Sequence, residues 1–479
     1  MPKSDSPLPF FLAGKWLTSD DSVAIFSPWD SSRAGTIAIA SPADLETAIS
    51  KAVSVQDELS GTPRYRRAKW CADIARHISK TGEELAQLIT RESGKPLQYA
   101  RAEVARAVTT FTLASEEATR LSGEQVPLDI AAATQDAWGF TLRVPRGPVA
   151  AIAPFNYPLN LVAHKIAPAI ASGCAVILKP APQTPLTALK LAEIIAEVGM
   201  PEGSVSIMPM ANETAEAMVR DDRVAVLSFT GSAPVGWHLK SISGRKSVLL
   251  ELGGNAPAIV LDDADTEYAA TKLSIAGFAA AGQVCIKAQR LLIHEAIYED
   301  FIQKFLLKVK SIKSGNPHES DTIVGPVIDS KSADRIQAWV DEAITQGAKS
   351  LLEFHRDGNV ISPVILTDTT QQMKVECDEV FGPVVVIKKI RGLDAAIDIA
   401  NDSAFGLQAG VFTSNVNSIR ETAQRLKFGG VIFNDSPMLR VDNFPYGGSR
   451  QSGLGREGVK YSMQEFTESR MIVVRFPGS

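Results

Sequence analysis

The segment VAAIAPFNYPLNLVAHKIAPAIASGCAVILK, residues 149–179, decides the fold. Short apolar runs at 149–153 and 175–178 enclose a stretch of helical length. Such runs favour buried strands, and a helix between two of them favours a parallel pair. The segment therefore predicts a β–α–β unit, and sheets built from such units bind ligands at the carboxyl ends of their strands.

The same alternation of strand and helix patterns continues on both sides of Glu251. Further strands are expected at 204–208, 225–229, 258–261, 290–294, 360–366, 384–390, 409–412 and 431–434. Helices are expected between them, including 266–281, 297–309 and 393–400, and a helix-rich part comes first, at 43–58, 64–80, 83–92 and 97–121. We predict an α/β fold of two domains with parallel sheets, joined near 252–255. The Gly253–Gly254 pair fits a hinge or a simple turn equally well.

Two further segments, 138–144 and 467–476, alternate as strands but belong to no β–α–β unit. An exposed strand edge readily pairs with another chain. We therefore expect these two segments to lie at a subunit interface.

Composition and charge exclude several classes of protein. The 479 residues carry a formal net charge of −5, which argues against general nucleic-acid binding because phosphates need a basic face. No apolar stretch is long enough to span a bilayer, and the N-terminus lacks the apolar core of a signal peptide. Four scattered cysteines without a CxxC pair favour a reduced, cytoplasmic setting. Six histidines without HExxH spacing indicate no metal site.

Three residues carry candidate chemistry. Cys285 follows a helix of small residues, and taken alone it fits an inert buried thiol better than a nucleophile. Glu251 ends an apolar strand between two leucines, where it is either a solvated cap or a general base whose pKa is raised by burial. Asn156 follows the strand at 149–153 and is either a turn former or an amide donor to developing negative charge.

A second set of residues suits a phosphate-bearing ligand. Gly231 and Gly236 allow a tight turn before a helix, Ser232 can cap that helix, and its exposed N–H groups suit a phosphate. The spacing is not GxGxxG, so the pattern alone is weak. Lys179 ends a strand, where it either reaches a ribose or phosphate or is simply solvated.

Eight ordered segments together resemble the aldehyde dehydrogenase superfamily, and the match runs from about Phe11 to Phe476. They are PFNYPLN at 154–160, ILKPA at 177–181, FTGSAPVG at 229–236, LELGGN at 250–255, GQVC at 282–285, DEVFGPV at 378–384, NDSAFGLQAGVFT at 401–413 and PYGGSRQSGLGREG at 445–458. Each segment is weak alone, but the ordered set is specific.

The resemblance implies a catalytic role for each candidate. Cys285 is then the nucleophile that forms a thiohemiacetal with an aldehyde, and Asn156 with the Cys285 backbone N–H forms the oxyanion hole. Glu251 activates water to hydrolyse the resulting thioester. Lys165 is carried over as a supporting residue only.

The resemblance also implies an NAD or NADP site. Its expected residues are Phe155, Lys179, Pro182, Gly231, Ser232, Gly236, Leu252, Glu379 and Phe381. Members that prefer NAD commonly place a glutamate three residues after the lysine, where it binds the ribose 2′-hydroxyl. In this chain that position is Pro182, so a 2′-phosphate meets no carboxylate repulsion and we expect NADP to be accepted.

The domain organisation follows from the same resemblance. It implies a Rossmann-type cofactor domain at 1–125 and 146–253, a catalytic domain at 254–447, and a β oligomerisation arm at 126–145 and 464–479. The partner is then a second copy of the chain, in a dimer or a tetramer.

The substrate is indicated by the segment at 437–446. It is similar to that of lactaldehyde, non-phosphorylating glyceraldehyde-3-phosphate and phosphonoacetaldehyde dehydrogenases, whose aldehydes are small and hydroxylated or anionic. By this resemblance Tyr157 lines the pocket, and Arg106 and Arg440 clamp a carboxylate or phosphate. The alternative is that Arg106 caps a solvent-facing side and Arg440 pairs with Asp442.

Two other functions stay open. Acylating members of the family pass the acyl group to coenzyme A, but they typically lack the glutamate matched by Glu251. A catalytically silent relative would not need to keep Cys285, Glu251 and Asn156 together.

Overall fold

A computed structural model describes residues 6–475. Phe476, the last residue of one expected strand, lies outside the described residues, as do the outer ends of the expected domains at 1–5 and 476–479. Within the described part of the chain, no helix is long and apolar enough to cross a membrane.

The α-helices of residues 6–475 are, in chain order, α1 (Pro42–Gly61), α2 (Arg64–Lys80), α3 (Gly82–Ser93), α4 (Leu97–Arg120), α5 (Asn160–Ser172), α6 (Pro185–Ala196), α7 (Asn212–Arg220), α8 (Ala233–Ile242), α9 (Thr266–Phe278), α10 (Tyr298–Lys310), α11 (Ser330–Thr345), α12 (Lys374–Cys377), α13 (Leu393–Asn401), α14 (Val416–Arg425) and α15 (Val459–Phe466).

The strands of the same residues are β1 (Phe10–Leu12), β2 (Lys15–Leu17), β3 (Ser22–Phe26), β4 (Arg33–Ala38), β5 (Gln125–Val126), β6 (Ala137–Pro145), β7 (Val149–Ile152), β8 (Val176–Lys179), β9 (Val205–Ile207), β10 (Val226–Thr230), β11 (Ser247–Glu251), β12 (Pro257–Val260), β13 (Arg290–His294), β14 (Lys349–Ser350), β15 (Arg356–Asp357), β16 (Val360–Ile361), β17 (Val364–Thr367), β18 (Val384–Ile390), β19 (Gln408–Phe412), β20 (Gly430–Phe433), β21 (Gly453–Leu454) and β22 (Thr467–Arg475).

Two large sheets confirm the predicted α/β fold. The first has the order β2-β1-β9-β8-β7-β10-β11-β21. Its five central strands, β9, β8, β7, β10 and β11, are parallel. The second has the order β14-β17-β18-β13-β12-β19-β20 and is parallel except at β14. Each sheet has its own apolar core, in which strands such as β7 and β12 are buried along their whole length.

The C-terminal part of the chain returns to the first sheet. β21 pairs antiparallel with β11, with Gly453 opposite Glu251, and α15 packs against α5 and α4. This return places residues near 457 beside the carboxyl end of β11. The domain boundaries expected from the sequence stay a prediction.

The two isolated alternating segments pair with each other. β6 and β22 form a nine-residue antiparallel ladder from Thr467–Pro145 to Arg475–Ala137, within one chain. The two strands therefore satisfy each other's hydrogen bonds within the chain, and their place at a subunit interface stays a prediction. The outer edge of β22 ends the sheet, and pairing across that edge stays a prediction.

Two local predictions were wrong. The strand expected at 360–366 is divided into β16 and β17, since Pro363 between them has no N–H to donate to a ladder. The helix expected at 266–281 ends at Phe278, because Ala280 and Ala281 adopt positive φ angles of 51° and 56°. The first part is helix-rich as predicted, and it also contains β1 to β4, whose short strands carry little periodic signal.

Candidate active site

Adjacent parallel strands bring four of the predicted residues to one edge of the first sheet. The ends of β7, β8, β10 and β11 are in register, with Ile152 opposite both Lys179 and Phe229, and Thr230 opposite Glu251. Asn156 lies in the loop that leaves β7, and Gly231 directly follows β10. The site therefore lies where open α/β sheets place their ligands.

The loop that carries Cys285 leaves α9 through a left-handed turn. Ala280, Ala281 and Gly282 all have positive φ angles, and a Cβ on Gly282 would lie 2.2 Å from the Gly382 carbonyl oxygen. A non-glycine residue in this conformation costs about 1 kcal/mol or more. Beyond this turn Cys285 is only partly buried, whereas Cys71 and Cys174 are buried.

The Cys285 thiol lies 3.0 Å from the hydroxyl of Tyr446. Burial raises the pKa of Cys285 to about 11, although the Tyr446 hydroxyl and the Arg440 charge act in the opposite direction. The thiol is therefore protonated at neutral pH, and a base must take its proton before it can attack a carbonyl. Tyr446 was not among the residues predicted for the site, although it belongs to the family-like segment at 445–458.

Asn156 ties the loop after β7 to the Cys285 loop. Its Nδ2 donates a hydrogen bond of 2.9 Å to the Gln283 carbonyl oxygen. One amide N–H is used in this way, which fixes the orientation of the other. The contact places the predicted oxyanion donor two residues from the nucleophile.

Glu251 ends β11 as a buried carboxyl group. Neither of its oxygens has a hydrogen-bond partner among the described residues. Burial raises its pKa well above the ordinary value, and the negative charge of Glu457 adds to this, against Arg440 and Lys165. Such a group is suited to act as a general base near neutral pH.

Lys165 lies beneath this carboxyl group on α5. Its Nζ donates to Ser228 Oγ at 3.1 Å and to Thr230 Oγ1 at 2.8 Å, and it is 3.8 Å from Glu457 Oε1. Burial lowers the pKa of Lys165, while Glu457 and Glu251 act in the opposite direction. Glu457 was not predicted, because only the return of the C-terminal segment brings it to the site.

Glu379 lies over the Gly253–Gly254 pair. Its Oε1 accepts a 3.0 Å hydrogen bond from the Gly254 N–H, and a Cβ on Gly253 would lie 2.0 Å from its Oε2. Gly253 therefore makes room for the carboxylate, and Gly254 donates its N–H to it. Burial raises the pKa of Glu379 to about 7.

An aromatic pair lies beside this carboxylate. The rings of Phe155 and Phe381 meet edge to face at 5.8 Å, and Phe381 has a φ of 48°. Lys287, which sequence reasoning missed, holds the same loop by donating from its Nζ to the carbonyl oxygens of Gly382 and Val384 at 3.0 and 2.6 Å. This lysine joins the Cys285 loop to the segment that carries Phe381.

The turn between β10 and α8 leaves N–H groups at the start of a helix. Ser232 is the N-cap residue, but its side chain makes no capping hydrogen bond, so the predicted side-chain cap is wrong. The second helical residue is Pro234, which has no N–H for the hydroxyl to accept. A Cβ on Gly236 would lie 2.4 Å from Leu252 Cδ2, so Leu252 packs tightly against the first turn.

Lys179 and Pro182 lie at the end of β8 and in the turn after it. Lys179 is buried, which lowers its pKa, and its ammonium has no hydrogen bond or ion pair within residues 6–475. Pro182 is exposed. A buried, unpaired ammonium at a strand end fits a ligand hydroxyl or phosphate better than a structural contact.

Arg106 and Arg440 each lie over a tyrosine of the Cys285 cluster. The Arg106 guanidinium is 5.8 Å from the Tyr157 ring, and that of Arg440 is 3.8 Å from the Tyr446 ring. Both tyrosines pack in the small apolar cluster that contains Cys285. The structure thus brings the predicted substrate residues close to the nucleophile.

The alternative interpretation, in which Arg440 pairs with Asp442, is wrong about the partner. Asp442 accepts from Arg106, at 3.1 Å to Nε and 2.6 Å to Nη2, while Arg440 Nη2 donates to Glu457 at 2.6 Å. Glu457 becomes the nearer carboxylate because β21 folds back on β11. Lys95 also contributes, since its Nζ lies 3.6 Å above the Tyr157 ring.

Comparison with known proteins agrees with this arrangement. The aldehyde dehydrogenase family matches residues 16–472. The chain belongs to the aldehyde dehydrogenase family. It is 41% identical over 466 residues to the 3-sulfolactaldehyde dehydrogenase of Priestia aryabhattai, covering 97% of each chain.

Two solved structures of the family are also similar. Aldehyde dehydrogenase 21 from Physcomitrella patens, in complex with the reaction product succinate, is 41% identical with a TM-score of 0.97, covering 99% of this chain and 100% of that one. Glyceraldehyde-3-phosphate dehydrogenase GapN from Methanocaldococcus jannaschii, complexed with NADP, is 37% identical with a TM-score of 0.92, covering 96% of this chain and 100% of that one.

Proposed function

We propose that this aldehyde dehydrogenase oxidises a small anionic aldehyde to its carboxylic acid with NAD or NADP, through a thioester on Cys285. The observation that supports it is the meeting of Cys285, Asn156 and Glu251 at one sheet edge, beside two arginines that lie over Tyr157 and Tyr446. The three similar proteins are named for, or were solved with, anionic compounds. These are 3-sulfolactaldehyde with a sulfonate, succinate with carboxylates, and glyceraldehyde-3-phosphate with a phosphate.

Each step has a residue suited to it. Cys285 Sγ attacks the carbonyl carbon, and the oxyanion is held by Asn156 Nδ2 and the Cys285 N–H. Loss of the aldehyde hydrogen as hydride, to the nicotinamide that the site would hold, would leave a thioester on Cys285. Glu251 then takes a proton from water, the hydroxide adds to the thioester carbonyl, and Cys285 leaves as the thiolate with release of the acid.

The cofactor fits the second group of residues. The nicotinamide half would be held by Glu379, Phe381 and Phe155. The pyrophosphate would lie at the Gly231–Ser232 turn, and the adenosine ribose would bind Lys179. When bound, the nicotinamide ring supplies the hydride acceptor. The Gly253–Gly254 pair keeps Glu379 positioned for this contact.

The direct test is an aldehyde panel with both cofactors and no coenzyme A. We expect NAD(P)H formation with anionic aldehydes, and release of the free acid. An absolute requirement for coenzyme A would contradict hydrolysis, and no reaction with any aldehyde would contradict the activity itself.

Arg106→Ala should raise KM for an anionic aldehyde about tenfold to a hundredfold. Two Arg106 nitrogens are used by Asp442, whereas Nη1 has no hydrogen bond within the described residues and the side chain is 28% exposed. A charge-assisted hydrogen bond contributes about 1.5–3 kcal/mol. Steady-state kinetics with succinic semialdehyde and butanal, which have the same carbon count, measure the effect.

The matched control for this change is Arg101→Ala. Arg101 lies on the same helix, α4, but it is exposed and pairs with Glu83. It should leave both KM values unchanged. An unchanged KM for succinic semialdehyde in Arg106→Ala would contradict the anion contact.

Pro182→Glu should lower kcat/KM with NADP about tenfold or more and leave NAD use almost unchanged. The new carboxylate would stand three residues after Lys179, where it repels a 2′-phosphate by about 1–4 kcal/mol. Pro182→Gln, which has the same size without the charge, is the control. Strict use of NAD by the unsubstituted enzyme would contradict NADP acceptance.

We propose further that the sheet of β5, β6 and β22 joins a second copy of the chain. Apolar side chains lie exposed along one face of its two long strands: Trp138 at 70%, Leu142 at 42%, and Val474, which lies opposite Trp138, at 37%. Contiguous exposed apolar side chains of this kind mark protein interfaces.

A further inference from the structure

His164 lies between two buried carboxylates. Its side chain is fully buried on α5, with Nε2 at 2.8 Å from Asp442 Oδ1 and Nδ1 at 3.9 Å from Glu457 Oε2. The Nδ1 atom has no hydrogen bond within the described residues. The ring therefore has one nitrogen with a hydrogen-bond partner and one that faces a carboxylate at a distance too long for a hydrogen bond.

Each of the two carboxylates contacts a different part of the site. Asp442 is bound by Arg106, the predicted contact of the substrate anion. Glu457 is bound by Arg440 and lies 3.8 Å from Lys165, and its charge raises the pKa of Glu251. His164 is thus the side chain that joins the substrate end to the base.

The groups around the ring decide its protonation. Besides the two carboxylates, the neutral side chains of Thr110 and Asn160 lie close, from α4 and α5. Burial lowers the pKa of His164, and Arg440 lowers it further, whereas Glu457 and Asp442 raise it. The ring is therefore neutral at neutral pH while Asp442 is neutralised by Arg106.

We propose that His164 transmits the presence of a substrate anion at Arg106 to Glu251, so that anionic aldehydes ionise the base that hydrolyses their thioester. An anion shares the charge of Arg106, which leaves Asp442 less compensated and favours a second proton, taken from solvent, on His164 Nδ1. That proton compensates Glu457, so the pKa of Glu251 falls. The inference rests on the proposed function, because it needs Arg106 to meet the anion and Glu251 to be the base.

The test compares pH profiles of kcat for succinic semialdehyde and butanal. In the unsubstituted enzyme the acidic limb for succinic semialdehyde should lie roughly one pH unit below that for butanal. In His164→Gln, whose amide can still donate to Asp442 but cannot take a second proton, the two limbs should coincide. A purely structural His164 would leave the displacement in place.

A binding measurement gives a second readout that does not need the His164 variant to fold. Calorimetry of the Cys285→Ala, Glu251→Gln double variant with succinic semialdehyde, in buffers of different ionisation enthalpy, should show uptake of up to about one proton per site, because the amide at position 251 has no proton to release in exchange, and butanal should show none. His77→Gln is the control for His164→Gln, because His77 is a partly exposed histidine that pairs with Glu197. It should keep the difference between the acidic limbs of the two pH profiles.

The outcomes separate the two proposals. The coupling is overturned if the unsubstituted enzyme prefers succinic semialdehyde but the acidic limbs for the two aldehydes coincide. It is also overturned if the limbs stay apart in His164→Gln, or if calorimetry shows no uptake of a proton. If the enzyme oxidises butanal as efficiently as succinic semialdehyde, the anionic-substrate part of the proposed function fails instead.

Discussion

Cys285→Ala should lower the rate of aldehyde oxidation by roughly 10⁴-fold or more, because no other side chain at the site can form the thioester. NAD(P) binding should change little, since the expected cofactor contacts come from the first sheet and the loop at 379–381. NAD(P)H formation and a fluorescence titration of the cofactor measure the two quantities. Persistent oxidation in this variant would overturn the covalent mechanism.

The matched control is Cys377→Ala. Cys377 is the other cysteine that is only partly buried, and it lies at the end of α12. Its pKa is also raised by burial. It should be fully active, which separates loss of the nucleophile from loss of any accessible thiol.

The pH dependence of Cys285 gives a further readout of the same prediction. Because burial raises its pKa to about 11, the thiolate is a minor species at neutral pH, and its fraction grows about tenfold per pH unit below that value. Alkylation by iodoacetamide without cofactor should accelerate accordingly. A rate that is already maximal at neutral pH would mean that the thiol is activated in the free enzyme.

The parallel strands could be predicted from the sequence because their apolar runs are local signals. The runs at 149–153, 175–178 and 225–229 each became a buried strand within two residues of the expected bounds. The residues that follow them were found by the same route, since the carboxyl ends of parallel strands meet at one edge.

The rest of the site depends on contacts between distant parts of the chain. Glu457, Tyr446 and Asp442 arrive only because β21 pairs with β11 about 200 positions away, and no local pattern shows that pairing. The left-handed turn before Cys285 also depends on a contact between distant parts of the chain. Its alanines favour a continued helix, and the break is fixed by the close approach of Gly282 to Gly382.

Glu251→Gln should slow turnover by about 10²- to 10⁴-fold while leaving one equivalent of NAD(P)H per site in a rapid first phase. The buried carboxyl has no hydrogen-bond partner among the described residues and lies at the end of β11, so the amide removes the proton acceptor without removing a structural contact. Rapid-mixing kinetics resolve the two phases. Turnover at the unsubstituted rate would contradict a role for Glu251 as base.

The acidic limb of the pH profile should disappear in the same variant. A raised pKa means that Glu251 is protonated and inactive at low pH, and that turnover rises as pH increases through that pKa. Glu376→Gln is the control, since Glu376 is equally buried but is bound by Thr369 and Lys388. Glu376→Gln should keep the acidic limb of the pH profile.

Hydroxylamine separates the two steps that need a base. It attacks a thioester without help, so it should restore turnover in Glu251→Gln if the acyl group is waiting on Cys285. If the rapid phase is lost as well, and hydroxylamine restores nothing, then Glu251 also takes the proton from the Cys285 thiol. With a thiol pKa of about 11 beside a carboxyl whose own pKa is raised, one buried base serving both steps is chemically consistent.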